Sequence, residues 1–190
     1  DTVENSACGI PLPNVAPGSG VLVNVLFDEN FGTQSTANGT NSVSLAGVGS
    51  GATTTYNYYN AILGTTPTDW MDGGGPPQSL QDGRYTVFNN VQNTASWAAG
   101  NWQTIGDHTN GGAVPTNGRM FIVNAALTPG EFYRRTLSGV VTGAPINTSF
   151  WVMNLFTVAG GNLPNIDVEF WQSGSVVYSF NTGDVNWYPA

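Results

Sequence analysis

Residues 166–180 read IDVEFWQSGSVVYSF, and the alternation within them decides the fold class. Ile166, Val168 and Phe170 have one parity, while Asp167, Glu169 and Trp171 have the other. Successive side chains of a strand point to opposite faces. Residues 166–172 and 175–180 are therefore read as two strands. The first has an apolar face turned to a core. Its other face, two carboxylates beside an indole, is what a solvent-facing or ligand-facing sheet surface carries.

The same kind of segment recurs upstream. Residues 21–27 (VLVNVLF), 53–59 (TTTYNYY), 84–88 (RYTVF), 119–125 (RMFIVNA), 131–137 (EFYRRTL) and 149–158 (SFWVMNLFTV) are short, β-branched or aromatic, and bounded by Gly, Pro, Asn or Asp. No amphipathic helical pattern separates them, so the expected class is all-β, a two-sheet antiparallel β-sandwich. In the segment at 119–125, Met120 and Ile122 oppose Phe121 and Val123, which puts Arg119 at a strand end. Residues 1–20 contain Pro11, Pro13 and Pro17 among glycines and read as a linker. Residues 21–190 then form a single domain, as a chain of this length allows. The connections at 69–82 and 98–117 are long and rich in Gly, Asn and Trp, and connections of that length in a compact domain usually carry function.

Composition narrows the partners. Charged residues are 8% of the chain, lysine is absent, and four arginines face twelve acids for a net charge of -8. Nucleic-acid binding needs a cationic patch that releases counterions from phosphate, and an anionic membrane surface needs the same; no such patch can be assembled here. An acidic surface favours divalent cations, and calcium takes oxygen ligands from Asp, Asn and carbonyl groups. The alternative is that the acids keep the protein soluble. A hydrophobic content of 40% supplies a core. Cys8 stands alone, so no intrachain disulfide forms. No stretch reaches the roughly 20 apolar residues of a membrane helix. Asp1 reads as a processed or excised start, and the Thr/Asn/Gly-rich, low-charge composition points to a secreted or cell-surface protein. Asn38-Gly-Thr and Asn147-Thr-Ser match the glycosylation acceptor pattern.

The order of several short blocks resembles a family. These are residues 27–32 (FDENFG), 82–87 (DGRYTV), 102–109 (WQTIGDHT), 117–124 (NGRMFIVN), 129–134 (PGEFYR) and 164–169 (PNIDVE). Together they resemble the jelly-roll modules of very large bacterial surface and adhesion proteins. The resemblance implies a jelly-roll, carbohydrate-binding-module-like sandwich that binds or displays and does not catalyse, often with structural calcium near the first and last strands. In a jelly roll those strands lie in one sheet region. Asp28 and Glu29, at the end of the first strand, and Asp184, on the approach to the last, could then share a calcium ion; the alternative for residues 28–32 is an Asx turn.

The binding site is expected on the connection that holds Trp102, Asp107 and His108, with Arg119 at the start of the next strand. An aromatic platform beside a carboxylate and an imidazole suits sugars or peptide ends. The alternative is that Asp107 and His108 hold the loop in shape. Trp97, Trp102 and Trp171 are the platform candidates, whereas Trp151, with apolar neighbours on both faces, is expected in the core. Asn165-Ile-Asp167-Val-Glu169 resembles the Glu-x-Asp-x-Glu strand of jelly-roll endo-glycanases, but Asn165 stands where the nucleophile is needed. No nucleophile elbow, Walker loop or zinc-protease helix motif is present. The expectation is a non-catalytic, adhesin-type module that recognises an extracellular glycan or peptide and sits beside neighbouring domains of a larger surface protein. Alternatives are a carbohydrate-binding module of a secreted polysaccharide-degrading enzyme and a structural subunit of a surface filament.

Overall fold

The structure, a computed structural model, describes residues 26–33, 42–63, 70–72, 80, 82–91, 102–103, 105–108, 118–141, 143, 145–157 and 162–187. In chain order the strands are β1 (Asn57–Tyr58), β2 (Ala61–Leu63), β3 (Trp70–Asp72), β4 (Arg84–Phe88), β5 (Asn90–Val91), β6 (Ile105–Gly106), β7 (Met120–Asn124), β8 (Asn165–Gln172) and β9 (Ser175–Asp184). There is no α-helix among the described residues, and the class is all-β.

The central sheet has the order β1-β4-β7. Strand β4 runs antiparallel to β7, from Arg84 opposite Asn124 to Phe88 opposite Met120. Directly opposed residues share a face, so Tyr85 and Val87 lie with Val123 and Phe121, while Thr86 and Phe88 lie with Ile122 and Met120. Both faces are covered. Tyr85 and Val87 pack with Leu45, Phe31, Val43 and Tyr133 on one side. Phe88 and Ile122 pack with Tyr59, Leu80, Val91 and Trp102 on the other. Each fully buried Val, Leu or Phe contributes about 1.5–3 kcal/mol. A strand covered on both faces cannot alternate, and the near-continuous apolar run RYTVF is what such a position requires.

The departures from the expected strands have physical reasons. Strand β1 runs parallel to β4, with Asn57 opposite Arg84 and Tyr58 opposite Tyr85, so the sheet is not wholly antiparallel. Parallel neighbours need a long crossover, and residues 59–83, which contain β2 and β3, supply it. The segment at 53–59 contributes β1 and a bridge from Thr53 to Arg134. Residues 131–137 and 149–157 are not ladder strands: among the described residues Arg134 bridges Thr53, and Asn154 and Phe156 make single bridges to Trp187 and Trp102; Val158 lies outside the described residues. Within 21–27, residues 21–25 lie outside the described residues, and Leu26 and Phe27 are in no strand.

Strands β8 and β9 form a hairpin across Ser173 and Gly174, whose φ values of 51° and 82° are both positive. A tight turn of that hand matches the twist of the strands it joins, and glycine tolerates it freely. Ile166, Val168 and Phe170 are half-buried and alternate with exposed Asp167, Glu169 and Trp171 as the sequence predicts. They join neither buried cluster, however. Their face is completed by Tyr178, whose ring centroid is 5.8 Å from that of Phe170 and 6.4 Å from that of Phe180.

Residues 27–33 pass over the Tyr85 side of the sheet. Phe31 has φ 56°, an uncommon conformation for a bulky side chain. It is held there because Glu29 Oε1 accepts from its N–H at 2.9 Å and its ring stacks on Phe121 at 5.6 Å. Tyr133 meets the same ring edge-on. Burial, reinforced by Glu29 and opposed by Arg135, pushes the Tyr133 phenol up to about 12 from an ordinary 10.0. The folded state thus favours the neutral phenol, and its contribution is complete below pH 10 and declines as pH rises towards 12. Melting temperature should fall across that window, and Tyr133→Phe should flatten the fall. An identical slope in both proteins would refute the assignment to Tyr133.

Candidate functional site

The connection carrying Trp102, Asp107 and His108 is fastened to residues 154–156. Trp102 bridges Phe156, Gln103 N–H donates to the Leu155 carbonyl at 2.7 Å, and Gln103 Nε2 reaches the Asn154 and Phe156 carbonyls at 3.4 Å. Asn154 is itself buried. Its Nδ2 donates to the Val185 carbonyl at 3.0 Å and its Oδ1 accepts from Phe156 N–H at 3.0 Å. Three stretches distant in sequence are thus stitched together at one amide.

This stitching sorts the expected site residues into inner and outer ones. Trp102 is 7% exposed and belongs to the core, so its indole is not an exposed platform. Asp107 is 6% exposed and has an interaction partner. His108 alone of the three turns outward. It stacks on Trp151, with ring centroids 3.9 Å apart and planes 19° from parallel. Trp151 is 78% exposed, which corrects its expected place in the core. Apolar neighbours in the sequence misled there, because residues 149–153 are in no strand and so have no second face to bury.

No match was found among family models, curated proteins or solved structures. What this protein can do is therefore read from its side chains.

The other expected residues lie on different elements. Arg119 immediately precedes β7, with its N–H donating to the Gly32 carbonyl at 3.1 Å. Its Nε is buried without a hydrogen-bond partner, and burial lowers its pKa against the opposing influence of Tyr58. Trp171, on β8, is half-exposed. Its Nε1 donates to Glu169 Oε2 at 2.9 Å, and the Arg134 guanidinium sits 5.1 Å from its ring centroid. Trp97 lies outside the described residues.

The acids are occupied locally. Glu29 Oε1 and Asn30 Oδ1 accept from the N–H groups two residues on, at 2.9 Å each, which is the Asx-type turn given above as the alternative for residues 28–32. Asp184 Oδ1 accepts from Asn165 Nδ2 at 3.2 Å, and Asp167 Oδ1 accepts from Asn181 Nδ2 at 2.7 Å. Asn181 also donates to Asn165 Oδ1. Among the described residues no three His, Cys, Asp or Glu side chains gather as a metal ion would need, so Asp28 and Glu29 do not meet Asp184 in such a group.

Trp151 and Arg134 are the two surface residues that sequence reasoning missed. The available signal for Trp151 was Asn154, an amide in an otherwise apolar run, which marks where the chain turns its polar contacts inward.

Proposed function

We propose that this chain is a non-catalytic, extracellular binding module of adhesin type, built as a jelly-roll β-sandwich, that recognises a glycan or a peptide at a surface. The observation that carries the reading is the stack of Trp151 on His108. An indole that is mostly in solvent yet held parallel to a second ring offers a flat apolar face of fixed orientation, and sugar rings and peptide side chains dock on such faces. An unsupported surface tryptophan would lose rotamer freedom on binding; the stack has already taken that cost.

Asn165 in place of a nucleophilic carboxylate supports a role without catalysis, because an amide cannot form the glycosyl ester of a retaining mechanism. Asp167 and Glu169 are engaged with Asn181 and Trp171, which suits scaffolding of the hairpin. Calcium remains part of the proposal as a structural ion, with Asp28 and Glu29, or separately Asp184, supplying carboxylate oxygens beside amide and main-chain donors, since the three do not gather around one point. The acidic charge and lack of lysine support it. The same composition supports secretion or surface display, and the resemblance to surface-protein modules supports neighbouring domains.

A glycan and peptide array probed with and without chelator tests the proposal. Reproducible binding to one ligand class is expected. A blank array would remove the recognition function, and a melting temperature equal in millimolar calcium and in chelator would remove the ion, since a ligand bound only by the folded state must raise it.

A further inference from the structure

We infer that Arg119 anchors a second site, one that takes the carboxylate of an acidic sugar, an assignment of ligand class that rests on the glycan reading above. Residues 30–68 and 108–130 contain no Asp or Glu, and Arg119 is the only Arg or Lys in either stretch. These stretches also supply Gly32, Ser42, Tyr58 and Asn60, so in a chain with twelve acids this guanidinium stands among neutral groups. It is half-buried, yet among the described residues it makes no ion pair, and the Tyr58 phenol is the only ionisable group that acts on it. A cation partly withdrawn from water is ordinarily compensated by a neighbouring carboxylate. Here the compensating group is left for a ligand to bring.

The surroundings of Arg119 select the occupant. It lies one residue before β7 and has the parity of Phe121 and Val123, the face that packs with Tyr85. Tyr58 of β1 stands opposite Tyr85 and belongs to the same face. The main chain of Arg119 is pinned, because its N–H donates to the Gly32 carbonyl at 3.1 Å and the adjoining Gly118 bridges Thr33. Within the guanidinium, Nε is buried without a partner, whereas Nη1 and Nη2 are open and make no hydrogen bond to the described residues. A fork of two terminal N–H groups accepts both oxygens of a carboxylate at once. Tyr58 is 38% exposed, its ring lies 5.8 Å from that of Tyr85, and its hydroxyl is held between Ser42 Oγ at 3.0 Å and Asn60 Oδ1 at 3.3 Å. With Oδ1 engaged, the exposed Asn60 amide offers Nδ2 as a donor. One guanidinium beside an amide and an aromatic face suits a sugar with one carboxylate, whose hydroxyls meet the amide and whose C–H face meets the phenol ring. A dianion such as a phosphate monoester would bring a second charge that this acidic molecule leaves uncompensated.

Titration of the intact chain with oligosaccharides ending in a single uronic acid residue, each beside its carboxyl-reduced counterpart, tests this inference. The acid should bind about tenfold or more tighter than the alcohol, the usual worth of a hydrogen-bonded charge. Arg119→Gln should abolish the difference, and Arg119→Lys should keep only part of it, because an ammonium cannot present the fork. Arg119→Gln should melt no lower than the native chain, since it removes an uncompensated half-buried charge; if it does melt early, the partial preference of Arg119→Lys carries the test. Equal affinity for acid and alcohol, binding of neither, or a preference that survives Arg119→Gln would each overturn the inference, as would a preference confined to peptides with free over amidated C-termini. Binding of a neutral glycan through Trp151 is compatible with every one of those failures. Conversely, an acid preference lost in Arg119→Gln stands even where Trp151→Ala changes nothing.

Discussion

Trp102→Ala is expected to destabilise the fold by about 3–5 kcal/mol, the usual cost of removing a buried large aromatic, while Trp151→Ala leaves stability within about 0.5 kcal/mol. For ligand binding the order reverses. Removing an exposed aromatic anchor costs about 2 kcal/mol or more, some thirtyfold in Kd, so Trp151→Ala should abolish signal on the array. Folded Trp102→Ala protein should still bind. Chemical denaturation and titration with the array-identified ligand separate the two effects. If Trp151→Ala binds normally, the recognition face lies elsewhere, and the Trp171, Glu169 and Arg134 group on β8 is the next place to look.

The second large effect belongs to Asn154. Replacing it with alanine strands the Val185 carbonyl and the Phe156 N–H, and each buried unsatisfied group costs about 1–3 kcal/mol. The sum should be about 2–6 kcal/mol, large for a residue buried away from the proposed binding face. Asn154→Asp can still accept from Phe156 but cannot donate to Val185, so it should recover part of the loss at low pH, where its carboxyl is protonated. Denaturation midpoints for the two variants at pH 4 and pH 7 provide the check. Equal stability of Asn154→Ala and the native chain would show that this amide does not hold residues 154–156 in place.

The fold was legible where the chain's own period carried the information. RYTVF, RMFIVNA and the hairpin at 166–180 were each found within a residue or a few of their observed ends, because alternation or an unbroken apolar run leaves little choice. Residues 131–137 and 149–157 have the same kind of composition and form no ladder strand. Strand formation is completed by a partner, and nothing local says that, among the described residues, Arg134 will make a single bridge to Thr53 or Phe156 a single bridge to Trp102. The orientation of the candidate site residues was hidden for the same reason. The loop holding Trp102, Asp107 and His108 was identified from its residue types, but which of them face outward depends on a segment some fifty residues away. Trp151 was assigned by its neighbours in sequence, and its surroundings are set by neighbours in space.

Strand β4 has one further consequence. Tyr85 and Val87 serve one apolar cluster and Phe88 the other, so the two cannot be assembled independently of each other. The first draws on Leu45 and Tyr133, the second on Tyr59, Trp102 and Phe156, and both need β7 alongside. A nascent chain that has emerged only as far as β4 can complete neither of these two clusters. The central body is committed to a late and cooperative transition, whose pace is set by contacts between residues far apart along the chain.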